Sequence, residues 1–146
     1  MVTYDYPFTV RFAHVDSAGI AFFSRVYEIC HEAFESLLAE AGLPLGFVIN
    51  DQGWGMPVVH SEANYKAPMR LGEQVLVSAS IERLGNSSVT FAYDVTGPDG
   101  AVRVQARLTH AFIDTQTFRP CAAPESFRNG LKNIGLLPAD QQSSPV

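Results

Sequence analysis

A carboxylate and a glycine, Asp16 and Gly19, stand directly before a long apolar stretch of the chain. We expect a strand to end at these residues and a helix to begin after them. The unpaired N–H groups of a first helical turn favour a nearby carboxylate, and equally an oxyanion that forms during a reaction. This combination suits acyl-transfer chemistry. The alternative is that Asp16 only caps the turn or the helix, as aspartate commonly does.

The histidines are further candidates for acid-base chemistry. His60 falls in a run with strand-like alternation, where it is either a cleft residue that contacts a ligand or a partly buried histidine of the core. His14 precedes Asp16 by two residues, and the two share a face only if the strand continues that far. The stretch His31–Glu35 lacks the second histidine of the H-E-x-x-H zinc motif. We therefore expect no metal there and interpret its first and last residues as a surface pair.

The elements that position Asp16 follow from the spacing of apolar residues. Alternation between Phe8 and Phe12 predicts a strand. From Phe22 to Ala41 apolar side chains recur at intervals of three and four, which predicts a helix that ends at the following glycine and proline. Ile29 falls outside the main apolar stripe, so more than one side of this helix should be covered.

Beyond the helix, a connector from Leu45 to Asn50 is expected to form about one helical turn, and a short helix is expected from Pro124 to Lys132. Alternation predicts four strands between them, at Val58–Tyr65, Glu73–Leu84, Ser88–Thr96 and Val102–Asp114. Turn-forming residues join the last three. Short connections make such strands antiparallel, and only the long helix is wide enough to cover their apolar face. The prediction is an α+β domain in which a curved antiparallel sheet wraps one central helix.

Composition excludes several classes of protein. The 146 residues predict one domain over residues 1–137 and a flexible tail at 138–146. Charged residues make up only 17%, against about 25% in an average soluble domain, so we expect apolar surface to be buried between subunits. The net charge of −5 argues against a nucleic-acid-binding protein.

The sequence also carries signals about its compartment. No uncharged run approaches the roughly 18–20 residues that a membrane-spanning helix needs. The first residues show neither the basic nor the apolar region of a signal peptide, so we expect a cytoplasmic protein. Cys30 and Cys121 are too far apart for a Cys-x-x-Cys metal site and too few for a disulfide framework, so free thiols are expected.

Two segments carry a family resemblance. Asp16-Ser17-Ala18-Gly19-Ile20-Ala21-Phe22-Phe23 is similar to a D-x-A-G-[IV]-[VA]-[FYW]-[FYH] signature, and Asn64–Glu73 is similar to a Y-x-A-P-x-x-x-G-D segment. With the order of elements over residues 4–115, they resemble the hotdog-fold acyl-CoA thioesterases of the 4-hydroxybenzoyl-CoA thioesterase type. Cys30–Glu35 and Met56–His60 resemble more closely the branch that hydrolyses 1,4-dihydroxy-2-naphthoyl-CoA.

The resemblance implies roles for single residues. Asp16 is expected to be the catalytic carboxylate, as nucleophile or as general base, and the amide N–H of Phe23 to polarise the thioester carbonyl. Phe23 stands where the short-chain branch carries a histidine, which suits a flat aromatic acyl group. Glu28 and Glu32 on the helix are weaker alternatives for the carboxylate. Neither a metal nor a cofactor is implied, and the remaining substrate-binding candidates are Gly19, Phe22, Trp54, Met56 and His60.

Coenzyme A carries phosphates, so basic side chains should rim the entrance, and the candidates are Lys66, Arg70 and Arg83. The resemblance further implies a homodimer or homotetramer with sites at subunit boundaries. Three alternatives remain open at this point. The chain could be a medium-chain acyl-CoA or acyl-carrier-protein thioesterase, a non-catalytic acyl-CoA binding protein, or a hydratase that uses His14.

Overall fold

The computed structural model describes residues 2–21 and 23–137, apart from the side chain of Asp51. Phe22 and the predicted tail at 138–146 lie outside the described residues. The helices are α1 (Arg25–Glu40), α2 (Leu45–Asp51) and α3 (Glu125–Asn133), and a single 3-10 turn spans Phe12–His14. The strands are β1 (Tyr4–Thr9), β2 (Trp54–Gly55), β3 (Val58–Tyr65), β4 (Gln74–Leu84), β5 (Ser88–Thr96), β6 (Val102–Ala111) and β7 (Ile113–Asp114).

Five strands form one antiparallel sheet in the order β1-β4-β5-β6-β3, and β2 pairs with β7 in a separate small sheet. The predicted meander holds for β4, β5 and β6. It is wrong for β3, which pairs with β6 rather than with its neighbour in sequence. The segment 66–73 carries the chain from β3, at one edge of the sheet, to β4 near the other edge.

The inner face of the sheet and α1 bury each other's apolar side chains. Alternate residues of β4, β5 and β6 are buried, which is the period-2 pattern of a sheet with one covered face. Along α1, Ile29 is completely buried, which confirms the expected wide contact surface of the helix. The fully buried members of the core include Val26, Ile29, Leu37, Leu38, Phe91, Tyr93, Leu108 and Phe112.

The two elements nearest Asp16 differ from their prediction. β1 ends at Thr9, and Phe12 is 83% exposed because the 3-10 turn breaks the alternation. Helix α1 begins at Arg25, three residues later than predicted. Before it, Ile20 and Ala21 are held in extended backbone by bridges to Arg70 and Val15. Phe23, near the start of the predicted helix, therefore lies in the turn that precedes α1.

The other boundaries lie close to those predicted. α3 and β3 to β5 match within one residue, while α2 is seven residues long rather than one turn. The last predicted strand is divided at Phe112 into β6 and β7. Among the described residues, no helix combines the length and apolar character needed to cross a membrane.

Candidate active site

Asp16 lies in a tight, exposed turn between the 3-10 turn and α1. Its Oδ1 accepts the backbone N–H groups of Ala18 and Ile20, at 2.9 and 3.4 Å. Its backbone N–H donates to the carbonyl of Ile20, and its carbonyl accepts from Gly19, both at 3.0 Å. Gly19 has φ +77°, a left-handed conformation that glycine adopts without strain. Asp16 thus caps its own turn, and within the described part of the chain its second oxygen, Oδ2, has no hydrogen-bond partner.

This turn is joined to the segment 66–73 by backbone hydrogen bonds. The N–H of Ala21 donates to the carbonyl of Met69 at 2.8 Å, and the N–H of Leu71 donates to the carbonyl of Gly19 at 3.0 Å. The position of Asp16 therefore depends on the segment that connects β3 to β4.

A partly buried ion pair fixes that segment in turn. Arg103 on β6 is 8% exposed, and its guanidinium donates to the carbonyl of Pro68 at 2.7 Å and to Glu73 at 2.8 and 3.2 Å. Oε1 of Glu73 also accepts the N–H of Arg70. The hydrogen bond from Arg103 and that from the Arg70 backbone lower the pKa of Glu73 below its ordinary value of 4.5.

An apolar cavity of about 380 Å³ opens between the Asp16 turn, the start of α1 and the segment 66–73. We call it the Phe23 cavity, and it is lined by Ile20, Ala21, Phe23, Val26, Tyr65, Lys66, Ala67, Pro68, Met69 and Val104. The hydroxyl of Tyr65 donates to the carbonyl of Phe23 at 2.9 Å and so fixes the turn that leads into the helix. The turn that holds Asp16 borders this cavity through Ile20, and the start of α1 borders it through Val26. Asp16 itself is exposed and is not one of the lining residues, so its carboxylate is close to the cavity in sequence but is not part of its wall. The N-terminal end of α1 carries partial positive charge, which would favour an oxyanion in the cavity.

A second cavity, of about 460 Å³, lies at the opposite end of β3. We call it the Met56 cavity, and it is lined by His31, Phe34, Glu35, Leu45, Val48, Ile49, Gly55, Met56, Pro57, Val58 and His110. His110 is 2% exposed, its ring is stacked on Phe34, and its Nδ1 lies 2.8 Å from the carbonyl of Met56.

Comparison with known proteins identifies the family. A model of the thioesterase-like superfamily matches residues 10–131. The chain belongs to this superfamily. A 1,4-dihydroxy-2-naphthoyl-CoA hydrolase from Synechococcus sp. (strain CC9605) is 34% identical over 133 residues, which are 88% of this chain and 89% of the relative.

Two solved structures share the fold. The 1,4-dihydroxy-2-naphthoyl-CoA thioesterase from Synechocystis superposes with a TM-score of 0.85 at 24% identity, over 92% of this chain and 98% of that one. A gentisyl-coenzyme A thioesterase superposes with a TM-score of 0.77 at 28% identity, over 87% of this chain and 98% of that one. The predicted family, the predicted hotdog fold and the prediction of a thioesterase are confirmed by these matches.

The structure brings some of the predicted site residues together. Phe23 and Lys66 line the Phe23 cavity, Gly19 shapes the Asp16 turn, and Arg70 bridges to Ile20 beside it. Arg83 lies near the far end of β4, opposite Thr90, so within one chain it is separated from this cavity. The predicted contact of Phe22 lies outside the described residues.

Other predicted residues lie away from the Phe23 cavity. Met56 lines the second cavity, whereas Trp54 is 7% exposed and packs edge-on against Phe112 and Phe127 in the core. His60 is exposed on β3, and its Nε2 lies 3.1 Å from Glu62. The ring of His14 packs against Phe8, and its Nδ1 accepts the N–H of Arg11, so the structure gives it no contact with Asp16.

The alternative catalytic groups are otherwise engaged in this thioesterase. Glu28 pairs with Arg25 at 2.6 Å, and Glu32 accepts the hydroxyl of Tyr6 at 3.0 Å. Both cysteines are free, but burial raises the pKa of Cys30 to about 12, so its thiolate is absent at neutral pH. Among the described residues, no cluster of three or more histidines, cysteines and carboxylates could hold a metal ion.

Sequence reasoning missed Tyr65, Arg103 and His110 as residues that shape the two cavities. For His110 a signal was present, because it shares its strand parity with the apolar residues Val104, Ala106 and Leu108. A histidine in a row of core positions must satisfy its ring nitrogens inside the protein. For Tyr65 the partner is a backbone carbonyl, and for Arg103 the partners are a backbone carbonyl and carboxylates, which only the folded chain identifies.

Proposed function

We propose that this thioesterase hydrolyses acyl-CoA thioesters with an aromatic acyl group, and that Asp16 is its catalytic carboxylate. The observation that carries the proposal is the Phe23 cavity, which has the Asp16 turn on one side and the start of α1 on the other. The relatives that act on 1,4-dihydroxy-2-naphthoyl-CoA and gentisyl-CoA support an aromatic acyl group.

Asp16 can act in either of two ways. As a nucleophile, its carboxylate attacks the thioester carbonyl, the CoA thiolate leaves, and water then hydrolyses the acyl anhydride. As a general base, it takes a proton from water while the oxygen of that water attacks the carbonyl, and the departing thiolate recovers a proton. In both routes negative charge develops on the carbonyl oxygen. The amide of Phe23, in the turn that leads into α1, would stabilise it.

The phosphates of CoA require positive charge outside the cavity, because the chain as a whole is acidic. Lys66 lines the cavity and is exposed, and Arg70 is exposed in the same connecting segment. These two residues are therefore proposed to contact the nucleotide of the substrate, with the acyl group directed into the protein.

The substrate class can be tested by comparing kcat/KM for 1,4-dihydroxy-2-naphthoyl-CoA, 4-hydroxybenzoyl-CoA and decanoyl-CoA. We expect the aromatic esters to be preferred by at least about tenfold, which corresponds to about 1.4 kcal/mol of transition-state binding. A tenfold preference for decanoyl-CoA would support a medium-chain thioesterase. If none of the esters is hydrolysed but CoA esters bind, the chain is a binding protein.

A second copy of the chain is proposed to complete the site. Strand β3 is an edge of the sheet, and it is exposed along most of its length, including the apolar residues Val58, Val59 and Tyr65. An unpaired apolar edge is a template for another strand. Antiparallel pairing of β3 with β3 of a twofold-related copy would place the Phe23 cavity of one subunit beside the Met56 cavity of the other.

This pairing predicts the effect of Val59→Lys. Val59 is 61% exposed on the edge strand β3, and the substitution introduces a positive charge there. Lysine on an edge strand opposes pairing with another strand, so we expect a shift to monomer and a parallel loss of turnover. Light scattering after size-exclusion chromatography and a thioester assay measure both effects. Val2→Lys, near the opposite edge of the sheet, is the control and should stay oligomeric. An active monomeric Val59→Lys variant would reject the shared site.

A further inference from the structure

His110 lines the Met56 cavity, and one nitrogen of its buried ring has no hydrogen-bond partner among the described residues. Because a carbonyl only accepts hydrogen bonds, Nδ1 of His110 must carry the proton that is donated to Met56. Burial, together with the nearby His31, lowers the pKa of His110, so the ring is neutral at neutral pH. Its Nε2 then presents a lone pair, and within the described part of the chain this buried atom has no hydrogen-bond partner.

The surroundings of His110 suit a flat, mostly apolar ligand. Its ring lies parallel to that of Phe34, with centroids 4.7 Å apart, and the cavity is otherwise lined largely by aliphatic side chains such as Val48 and Met56. A volume of about 460 Å³ falls in the range of small-molecule sites, about 300–1,000 Å³. A buried hydrogen-bond acceptor without a donor lowers the stability of the fold, and a hydroxyl group on a ligand could supply the missing donor.

The geometry points to a specificity residue: we propose that Nε2 of His110 accepts a hydrogen bond from a hydroxyl group on the aromatic ring of the substrate. This proposal rests on the proposed thioesterase function and on the paired β3 strands. The carbonyl of the ester lies in the Phe23 cavity of one subunit, and the far end of the ring enters the Met56 cavity of its partner.

The experiment compares two esters that differ only in a distal hydroxyl group, 6-hydroxy-2-naphthoyl-CoA and 2-naphthoyl-CoA. For His110→Phe we expect kcat/KM to fall about tenfold on the hydroxylated ester and to change less than about twofold on the other, as loss of one hydrogen bond predicts. Tyr93→Phe is the matched control, because it deletes a second buried atom that has no hydrogen-bond partner in the described part of the chain, and Tyr93 lines neither cavity. Tyr93→Phe should leave the ratio of kcat/KM for the two esters unchanged.

Two results would overturn the role of His110. The first is a ratio of kcat/KM for the two esters that stays unchanged in His110→Phe, whether or not both rates fall. The second is a ratio that is lost in His31→Phe and kept in His110→Phe. If His110→Phe fails to fold, proton–nitrogen NMR of the wild-type imidazoles replaces it. Nε2 of His110 should then shift with 6-hydroxy-2-naphthoate and not with 2-naphthoate, and equal shifts would reject the hydrogen bond. Absence of turnover of both esters by the wild-type chain would instead reject the proposed function.

Discussion

Replacing Asp16 with asparagine is expected to lower kcat for an aromatic acyl-CoA by about 10²–10⁴-fold without unfolding the chain. The amide oxygen of asparagine can still accept the N–H groups of Ala18 and Ile20, so the turn keeps its hydrogen bonds. What disappears is the negative charge that the proposed mechanism needs, either to attack the carbonyl or to take the proton from water. Steady-state release of the CoA thiol measures the rate, and thermal unfolding of the same preparations verifies the fold.

The chain offers a matched control for this substitution. Asp114 closes a turn in the same way, with its Oδ1 accepting the N–H groups of Gln116 and Thr117 at 2.8 and 3.1 Å. Asp114→Asn therefore makes the same chemical change in a similar turn away from the Phe23 cavity, and it should keep the wild-type rate. If Asp16→Asn also keeps that rate, Asp16 is only a cap, and the proposed mechanism is wrong.

The turn at Asp16 illustrates what sequence can and cannot predict. The sequence left two interpretations of Asp16 open, a cap and a catalytic group, and the hydrogen bonds establish that it is a cap. The two roles are compatible, because the same turn borders the Phe23 cavity through Ile20. A local pattern predicts local hydrogen bonds, but the cavity arises from the segment 66–73, which is distant in sequence.

The strands were predictable where one face of the sheet is buried and the other is exposed. In β5 the buried Val89, Phe91 and Val95 alternate with more exposed residues, and its predicted boundaries are confirmed. The order of the strands in the sheet was harder to predict from the sequence. Residues of β3 are exposed on both faces, so their pattern does not specify a neighbour, and only the folded chain identifies β6 as its partner.

Arg103 is the residue that the strand pattern describes least well. The alternation of β6 assigns it to the same polar face as Gln105 and Arg107, and that face is exposed at both of those residues. Arg103 is buried nonetheless, because Glu73 and the carbonyl of Pro68 satisfy its guanidinium. The charge of an arginine side chain by itself predicts that the side chain is exposed to solvent. Its two shortest hydrogen bonds go to partners that lie 30 or more residues away in the chain, and the contact with the nearby Asp99 is longer, at 3.5 Å.

Replacing Arg103 with methionine is therefore expected to lower the free energy of unfolding by about 2 kcal/mol, because the partly buried Glu73 loses two charge-assisted hydrogen bonds. The substitution also releases the carbonyl of Pro68, and with it the segment that hydrogen-bonds to Gly19 and Ala21. We expect activity to fall in the folded fraction as well. Urea unfolding and thioester assays on the same samples separate the two effects.

The acid dependence of stability gives this prediction a second measurement. The pKa of Glu73 is lower in the folded chain than its ordinary value of 4.5, so its ionised form favours folding. That contribution is fully present above pH 4.5 and is lost as the pH falls through the lower, folded-state pKa. Arg103→Met removes the main cause of the shift. The difference in stability between wild type and variant should therefore be largest near neutral pH and should narrow progressively below pH 4.5.

Arg107→Met is the matched control on the same strand and the same face. Arg107 pairs with Glu82 at 2.7 Å, but both side chains are at least 40% exposed, so removing this pair should cost less than about 1 kcal/mol. It should also leave the acid dependence of stability unchanged. If the two variants lose equal stability, the Arg103–Glu73 pair behaves as an ordinary surface contact. The segment 66–73 must then be positioned by its backbone hydrogen bonds to the Asp16 turn alone.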